Sequence, residues 1–181
     1  MIQLISEKIL KQYSLIDDNV DGLYITPSIQ LAQETGLQPL LGGPLYRRLL
    51  AMVENGDIQG DTNYKKLLDD YCIPYLMYKV MSEIQIPLAF KMRNQGVVTT
   101  TDDHSFNSDI RDVQYIKNYY DDKAKFYANR LSDYLVANAH LYPEYRHYVS
   151  GEMKSNSKAY NTGIVLSNNS CNKSLRRIFN N

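Results

Sequence analysis

The sequence predicts a mainly α-helical bundle of about five helices, with a short β or extended arm between the two longest helices and an extended C-terminal tail. Three observations support this prediction. Apolar residues recur at helical spacing through most of the chain, glycine and proline interrupt the pattern at a few points, and the composition becomes polar near residue 150. We therefore expect a helical domain over residues 1–149 and an extended polar and basic arm over residues 150–181.

The composition is that of a globular protein with a sizeable core. The chain has 181 residues, of which 44% are hydrophobic and 22% charged. Basic and acidic residues number 20 each, so no global field attracts nucleic acid or an anionic membrane. No segment approaches the roughly 20 apolar residues of a membrane span, and two distant cysteines suggest no disulfide framework. We expect a soluble protein made in a reducing cytoplasm.

The first half of the chain predicts short helices separated by clear stop signals. Ser6 is placed to cap the first helix, and Thr26 to cap a second helix that begins at Pro27. The next stop is a structural corner, at which one helix ends and another begins: Gly42, Gly43, Pro44 and Tyr46.

The second half predicts two long helices joined by an arm. A helical pattern over residues 63–92 is interrupted by Pro74 and Pro87, each of which should kink or split it. The β-branched run 97–101 predicts a short strand or extended arm, followed by an exposed loop over residues 102–109. A second long helix is predicted over about 108–139.

No group of side chains predicts an enzyme or a metal site. His104, His140 and His147 lack metal-ligand spacing. The acidic pairs at 17–18, 69–70, 102–103 and 121–122 consist of adjacent residues that point to different faces, so we interpret them as solvated surface. Cys72 lies in an apolar helical run, which is typical of a buried thiol. We expect no catalytic residue, no cofactor and no metal.

Two features indicate partner surfaces, each with an alternative. Sixteen tyrosines suit half-buried interfaces, although AT-rich coding bias would raise tyrosine equally well. The C-terminal arm over residues 150–181 has a net charge of about +4 and a composition that on its own predicts disorder. It contains one apolar island, Ile164, Val165 and Leu166. This island would dock on another chain, as an added strand or in a groove, or else pack on its own domain.

Several stretches together resemble a known family. They are AQETGLQPLLGGPLYRRLL, the proline-interrupted YCIPYLMYKVMSEIQIPLAFKMRNQGVV, and YANRLSDYLVANAHLYPEY at the end of the last long helix. Over roughly residues 4–145 the pattern is similar to that of tailed-phage head–tail connector proteins (portal-adaptor ring proteins), of the kind found in Bacteroides and crAss-like phages.

The resemblance implies a structural virion protein located in the neck and made in the cytoplasm of the bacterial host. It implies a homo-oligomeric ring of about twelve copies that contacts the portal protein and downstream neck or tail proteins, with DNA passing through without sequence-specific binding. The expected interface residues lie in the arm between the long helices and in the C-terminal tail. They are Val97, Val98, Thr99, Asp102, Asp103, Ile164, Val165, Leu166, Arg176 and Arg177.

Two alternatives remain open from the sequence. The chain could be a nucleic-acid-binding module that uses its basic tail, although that tail lacks dense arginine. It could also be a neck stopper or tail-completion protein.

Overall fold

The computed structural model describes residues 2–93, 96–99, 110–146 and 151–156, and it confirms a mainly helical bundle. The α-helices are α1 Glu7–Tyr13, α2 Gly22–Leu31, α3 Gln38–Leu41, α4 Gly43–Asn55, α5 Thr62–Leu67, α6 Ile73–Glu83, α7 Gln85–Ala89, α8 Ile110–Ala137 and α9 Pro143–Arg146. The strands are β1 Phe90–Arg93 and β2 Gly96–Thr99.

Several of these helices join end to end. A π-helical turn, Ala32–Leu37, connects α2 to α3, and a second, Leu68–Cys72, connects α5 to α6. Counted as continuous rods, the described part of the chain contains five principal helical units: α1, α2–α3, α4, α5–α6 and α8. This agrees with the number predicted from the sequence.

The predicted helix interruptions coincide with local chemistry. Ser6 caps α1 by accepting a hydrogen bond from the Ile9 N–H. Pro74 lies in the first turn of α6, directly after a π-helical turn, and Pro87 lies in the short α7. The helical rod is therefore interrupted near both prolines: it continues through the π-helical turn just before Pro74, and it breaks at Ile84, three residues before Pro87.

The predicted start of the second helix was wrong. Helix α2 begins at Gly22, five residues before Pro27, because the Asp21 side chain accepts a hydrogen bond from the Leu23 N–H and caps the helix there. Pro27 lies inside the helix. Its ring removes the hydrogen bond to the Leu23 carbonyl, and because Leu23 is exposed, water can solvate that oxygen.

The predicted end of the helix over residues 63–92 was also wrong. The helix stops at Ala89, and Phe90 adopts extended backbone angles. Phe90–Arg93 then pairs antiparallel with Gly96–Thr99, in the register Phe90 to Thr99 and Arg93 to Gly96. The β-branched run thus forms a strand as predicted. Its partner strand is Phe90–Arg93, a segment whose apolar spacing had predicted the end of a helix.

The centre of the bundle is the contact between α6 and α8. Stacked rings join the two rods: Tyr71 and Tyr134 have centroids 3.9 Å apart, and Tyr78 and Tyr127 have centroids 5.1 Å apart. The buried residues of α8 are Val113, Ala124, Leu131 and Leu135. Ile110, at the start of the helix, is largely exposed.

A tyrosine cluster closes one end of the bundle. The Tyr142 hydroxyl donates to the Asn63 carbonyl at 3.0 Å and lies 3.0 Å from the Tyr134 hydroxyl, while Tyr64 packs edge-on against the Tyr142 ring. The Tyr64 hydroxyl donates to Glu144 at 2.6 Å. Much of the unusual tyrosine content therefore lies between helices, where the ring is packed and the hydroxyl is satisfied.

Candidate functional site: the corner and the outer surface of the long helix

The corner has the backbone geometry that its glycines predict. Gly42 has φ = 79°, a region that side chains other than glycine rarely adopt, and its N–H donates to the Gln38 carbonyl at 2.8 Å. Pro44 lies in the first turn of α4. That helix begins without a side-chain cap, so its first N–H groups need partners from elsewhere.

One such partner comes from the C-terminal end of the described chain, in a segment that we call the clip, residues 151–156. The Gly43 N–H donates to the Met153 carbonyl at 2.8 Å. The clip also bonds to α3, since the Asn156 N–H donates to the Pro39 carbonyl at 2.7 Å. The sequence assigned residues 150–181 to a separate arm, but the clip packs on the helical domain and closes its corner.

The clip also brings charge to the start of α4. Glu152 lies beside Gly43 and forms an ion pair with Arg47. The negative charge of a carboxylate at this position interacts favourably with the positive end of the helix dipole. A Cβ atom on Gly43 would lie 3.0 Å from Glu152 Oε2, so a side chain here would force the clip to give by a few tenths of an ångström.

Tyr46 connects the corner to the N-terminal segment. Its buried hydroxyl lies 3.5 Å from Gln33 Nε2, and Gln33 Oε1 accepts the Leu4 N–H at 2.7 Å. Burial raises the pKa of Tyr46, although the hydrogen bond with Gln33 acts in the opposite direction. The corner thus joins α3, α4, the N-terminal segment and the clip.

The interpretation of the pair Asp121–Asp122 as solvated surface was wrong for Asp121. Its carboxylate accepts hydrogen bonds from Ser82 at 2.8 Å, from Lys117 at 2.9 Å and from Lys79 at 3.3 Å. Lys79 also pairs with Glu83 at 2.6 Å. Asp122 is exposed and pairs with Lys125. Adjacent acids do point to different faces, but one of those faces is the junction of α6 and α8.

The outer surface of α8 carries a second apolar face, opposite the one that packs in the core. We call Tyr115, Tyr119 and Phe126 the outer stripe; their side chains are 75%, 53% and 64% exposed. Their spacing of four and seven residues places them on one side of the helix. The stripe was not predicted from the sequence, because its residues alternate along α8 with those of the inner face and both sets have helical spacing.

A groove of about 490 Å³ adjoins the outer stripe at Tyr119. It lies between the end of α1, helix α6 and helix α8, and none of the described residues that line it is charged. The lining residues are Gln12, Tyr13, Ser14, Leu15, Met77, Tyr78, Met81, Tyr119 and Tyr120.

The expected interface residues are only partly within the described chain. Val97, Val98 and Thr99 belong to β2, away from the corner in sequence. Asp102, Asp103, Ile164, Val165, Leu166, Arg176 and Arg177 lie outside the described residues, as do His104 and His147.

Reactive chemistry is not assembled in the described part of the chain. Cys72 is fully buried, as predicted, and burial raises the pKa of its thiol well above the usual range, which makes it unreactive. No cluster of potential metal ligands occurs among the residues described. Within the same residues, no helix has both the length and the apolar character needed to cross a bilayer.

The described residues form a mainly helical protein with three features that bear on its function: the corner closed by the clip, the outer stripe of α8 and the groove beside it. The chain belongs to DUF6712, a family of unknown function, whose profile matches residues 37–157. The match begins just before the corner and ends directly after the clip. No curated protein and no solved structure matches the chain.

Proposed function

We propose that the chain is a structural subunit of a tailed-phage neck, a head–tail connector that assembles with copies of itself into a ring between the portal and the tail. In this proposal DNA passes through the ring, and the protein has no enzymatic activity. The family resemblance suggests the place in the virion, and one observation of the fold supports an assembly role: the outer stripe of α8.

The outer stripe has the size and composition of a contact surface. Taking about 200 Å² for a whole aromatic side chain, its three residues expose roughly 400 Å² of mainly apolar area. Patches of about 300–600 Å² are the largest on a typical monomer and are often functional. Tyrosine and phenylalanine are also enriched in the cores of protein interfaces.

The charges around the stripe favour a protein partner over nucleic acid. Asp122 and Lys125 pair with each other beside it, and Lys123 lies over the Tyr119 ring at 5.4 Å. A nucleic-acid surface would need a predominance of basic residues. Mixed charges beside exposed aromatics are the pattern of a protein contact with a polar rim.

Helix α8 also has the dimensions for contacts between neighbouring subunits. Its 28 residues span about 42 Å at 1.5 Å per residue. One face is committed to α6, so the opposite face is available to an adjacent copy in a head-to-tail ring.

The test compares ring formation by the natural chain and by a Tyr115→Ser/Phe126→Ser double variant. We expect the natural chain, alone or with the portal protein of the same phage, to give rings in electron micrographs and a matching mass in light scattering. The double variant should remain monomeric. Leu23→Ser, which removes an equally exposed apolar side chain on α2, should still assemble.

The proposal is overturned if the natural chain stays monomeric with and without the portal protein. The assignment of the outer stripe is overturned if rings form and the double variant assembles as well as the natural chain does.

A further inference from the structure

The groove beside Tyr119 combines adaptable apolar walls with open access. Met77 and Met81 supply flexible thioether side chains, which accommodate irregular apolar surfaces well. Tyr13 and Leu15 stand at its edge and are largely exposed. Because the described lining residues are all uncharged, a charged ligand would lose hydration against them without gaining an ionic partner.

The chain itself contains a segment with matching chemistry. Between Lys158 and Lys173 lie 14 consecutive uncharged residues, AYNTGIVLSNNSCN, and Ile164, Val165 and Leu166 form its apolar centre. Three aliphatic residues flanked by small polar ones suit a groove with an apolar floor and a hydroxyl-bearing edge.

The clip fixes the point from which the tail starts. Asn156 is held at Pro39, and Ile164 is eight positions further along the chain, which allows a span of at most about 28 Å. Gly36, three residues before Pro39, lies against the Tyr75 and Lys79 side chains of α6. Met77 and Met81 are two and six positions after Tyr75, about 200° and 240° around the helix, so the groove opens on the other side of α6 and the tail must pass around the bundle to enter it.

We propose that the segment Ile164–Leu166 docks into this groove of its own domain. The clip holds the start of the segment in place, which raises its effective concentration at the groove to the millimolar range typical of short linkers. Of the two partners that the sequence left open for the apolar island, this selects its own domain.

The docked segment would also regulate assembly. Tyr119 belongs both to the groove and to the outer stripe, so a docked segment covers part of the surface used for self-contact. The segment then acts as an intramolecular competitor that adjacent subunits must displace. This regulatory role rests on the proposed function, whereas the docking itself does not.

Methionine NMR on the full-length chain tests the docking. In protein with ¹³C-labelled methionine methyl groups, Met77 and Met81 report on the groove, Met153 reports on the clip, and Met52 in the core of α4 serves as an internal reference. Replacing the island, by Ile164→Ser/Val165→Ser/Leu166→Ser, should shift the Met77 and Met81 signals and leave Met52 and Met153 unchanged.

The matched control is Ile178→Ser/Phe179→Ser, which removes other apolar residues of the same tail. It should leave all four signals unchanged. Unchanged Met77 and Met81 signals in the island variant would overturn the proposal, as would equal shifts in the control. At concentrations below those at which light scattering detects assembly, the natural signals should not depend on protein concentration, and a concentration dependence in that range would show docking on a second copy instead.

Light scattering on the same proteins tests the regulatory role separately. The island variant should assemble at a lower concentration than the natural chain. If its signals shift but its assembly is unchanged, docking stands and regulation is wrong. If the natural chain and the island variant both stay monomeric, the proposed function fails while the NMR result still decides the docking.

Discussion

The Gly43 backbone N–H donates a hydrogen bond of 2.8 Å to the carbonyl oxygen of Met153, so the uncapped start of α4 is closed by a segment from the far end of the described chain. The adjacent ion pair, Arg47 with Glu152, joins residues 105 positions apart. The glycines of the corner are local turn signals, but the corner is completed by contacts with residues far away in sequence.

A side chain at Gly43 should weaken this contact. Gly43→Val places a Cβ atom 3.0 Å from Glu152 Oε2 and 3.3 Å from Glu152 Cβ, so the clip must move. We expect a loss of about 1–3 kcal/mol in the free energy of unfolding, as for overpacking elsewhere. Urea titration followed by circular dichroism measures it. Gly60→Val is the control, since nothing lies within 4 Å of a Cβ at Gly60.

Removing the clip together with the tail beyond it should destabilise the domain more than removing that tail alone. A chain ending at Ser150 loses the two hydrogen bonds made by Met153 and Asn156, which contribute about 0.5–1.5 kcal/mol each. A chain ending at Asn156 keeps both. Thermal unfolding of the two truncated proteins compares them directly, and equal midpoints would contradict the structural role of the clip.

Asp121→Asn should cost far more stability than Asp122→Asn. Asp121 accepts three hydrogen bonds at the junction of α6 and α8, two of them from lysines, whereas Asp122 is exposed. Hydrogen bonds to charged groups contribute about 1.5–3 kcal/mol, and exposed ion pairs typically less than about 1 kcal/mol. Denaturant unfolding at neutral pH measures both variants, and similar losses would show that Asp121 does not stabilise the junction.

The contribution of Asp121 should also depend on pH. Burial opposes ionisation of its carboxyl group, but the hydrogen bonds from Lys117 and Ser82 and the charge of Lys79 outweigh burial and lower its pKa below 3.8. The folded state therefore binds this proton less readily than the unfolded state. The stabilisation is complete above the unfolded pKa of about 3.9 and is lost as the pH falls through the folded pKa. The difference in the free energy of unfolding between the natural chain and Asp121→Asn should accordingly become smaller below about pH 4.

Tyr142→Phe should be destabilising although it removes a single atom. The buried Tyr142 hydroxyl donates to the Asn63 carbonyl and accepts from Tyr134, so its removal leaves both partners without this contact. We expect a loss of about 1–3 kcal/mol. Tyr119→Phe, an exposed counterpart on α8, should change stability by less than about 0.5 kcal/mol. Chemical denaturation of the two variants gives the comparison.

The parts of the fold that the sequence predicted are those governed by local chemistry. Gly42, Gly56 and Pro74 mark helix boundaries because their backbone preferences act within one turn. Phe90 failed as a helical residue because pairing with Thr99 decided its conformation. Strand pairing depends on a partner segment, which helical periodicity alone does not take into account.

The contacts of the clip and of Asp121 were harder to predict, because each combines residues distant in sequence. In the sequence the clip is part of a polar tail, and only the folded chain brings Met153 to Gly43. Asp121 and Asp122 are likewise equivalent in sequence, and only the packing of α6 against α8 distinguishes them. The outer stripe was accessible in principle, since Tyr115, Tyr119 and Phe126 follow a helical spacing. The stripe is recognisable only if α8 is taken to have two apolar faces, one buried and one exposed.

The position of the clip has a kinetic consequence. Because Arg47 and Glu152 are 105 residues apart, the clip closes a long loop, and such contacts form only after the entropy of loop closure has been overcome. The contact between α6 and α8 can form without it, so the clip should be absent from the folding transition state. Changes in the clip should then accelerate unfolding and leave the folding rate nearly unaltered. The clip would thus set the lifetime of the folded subunit more than the speed at which it forms.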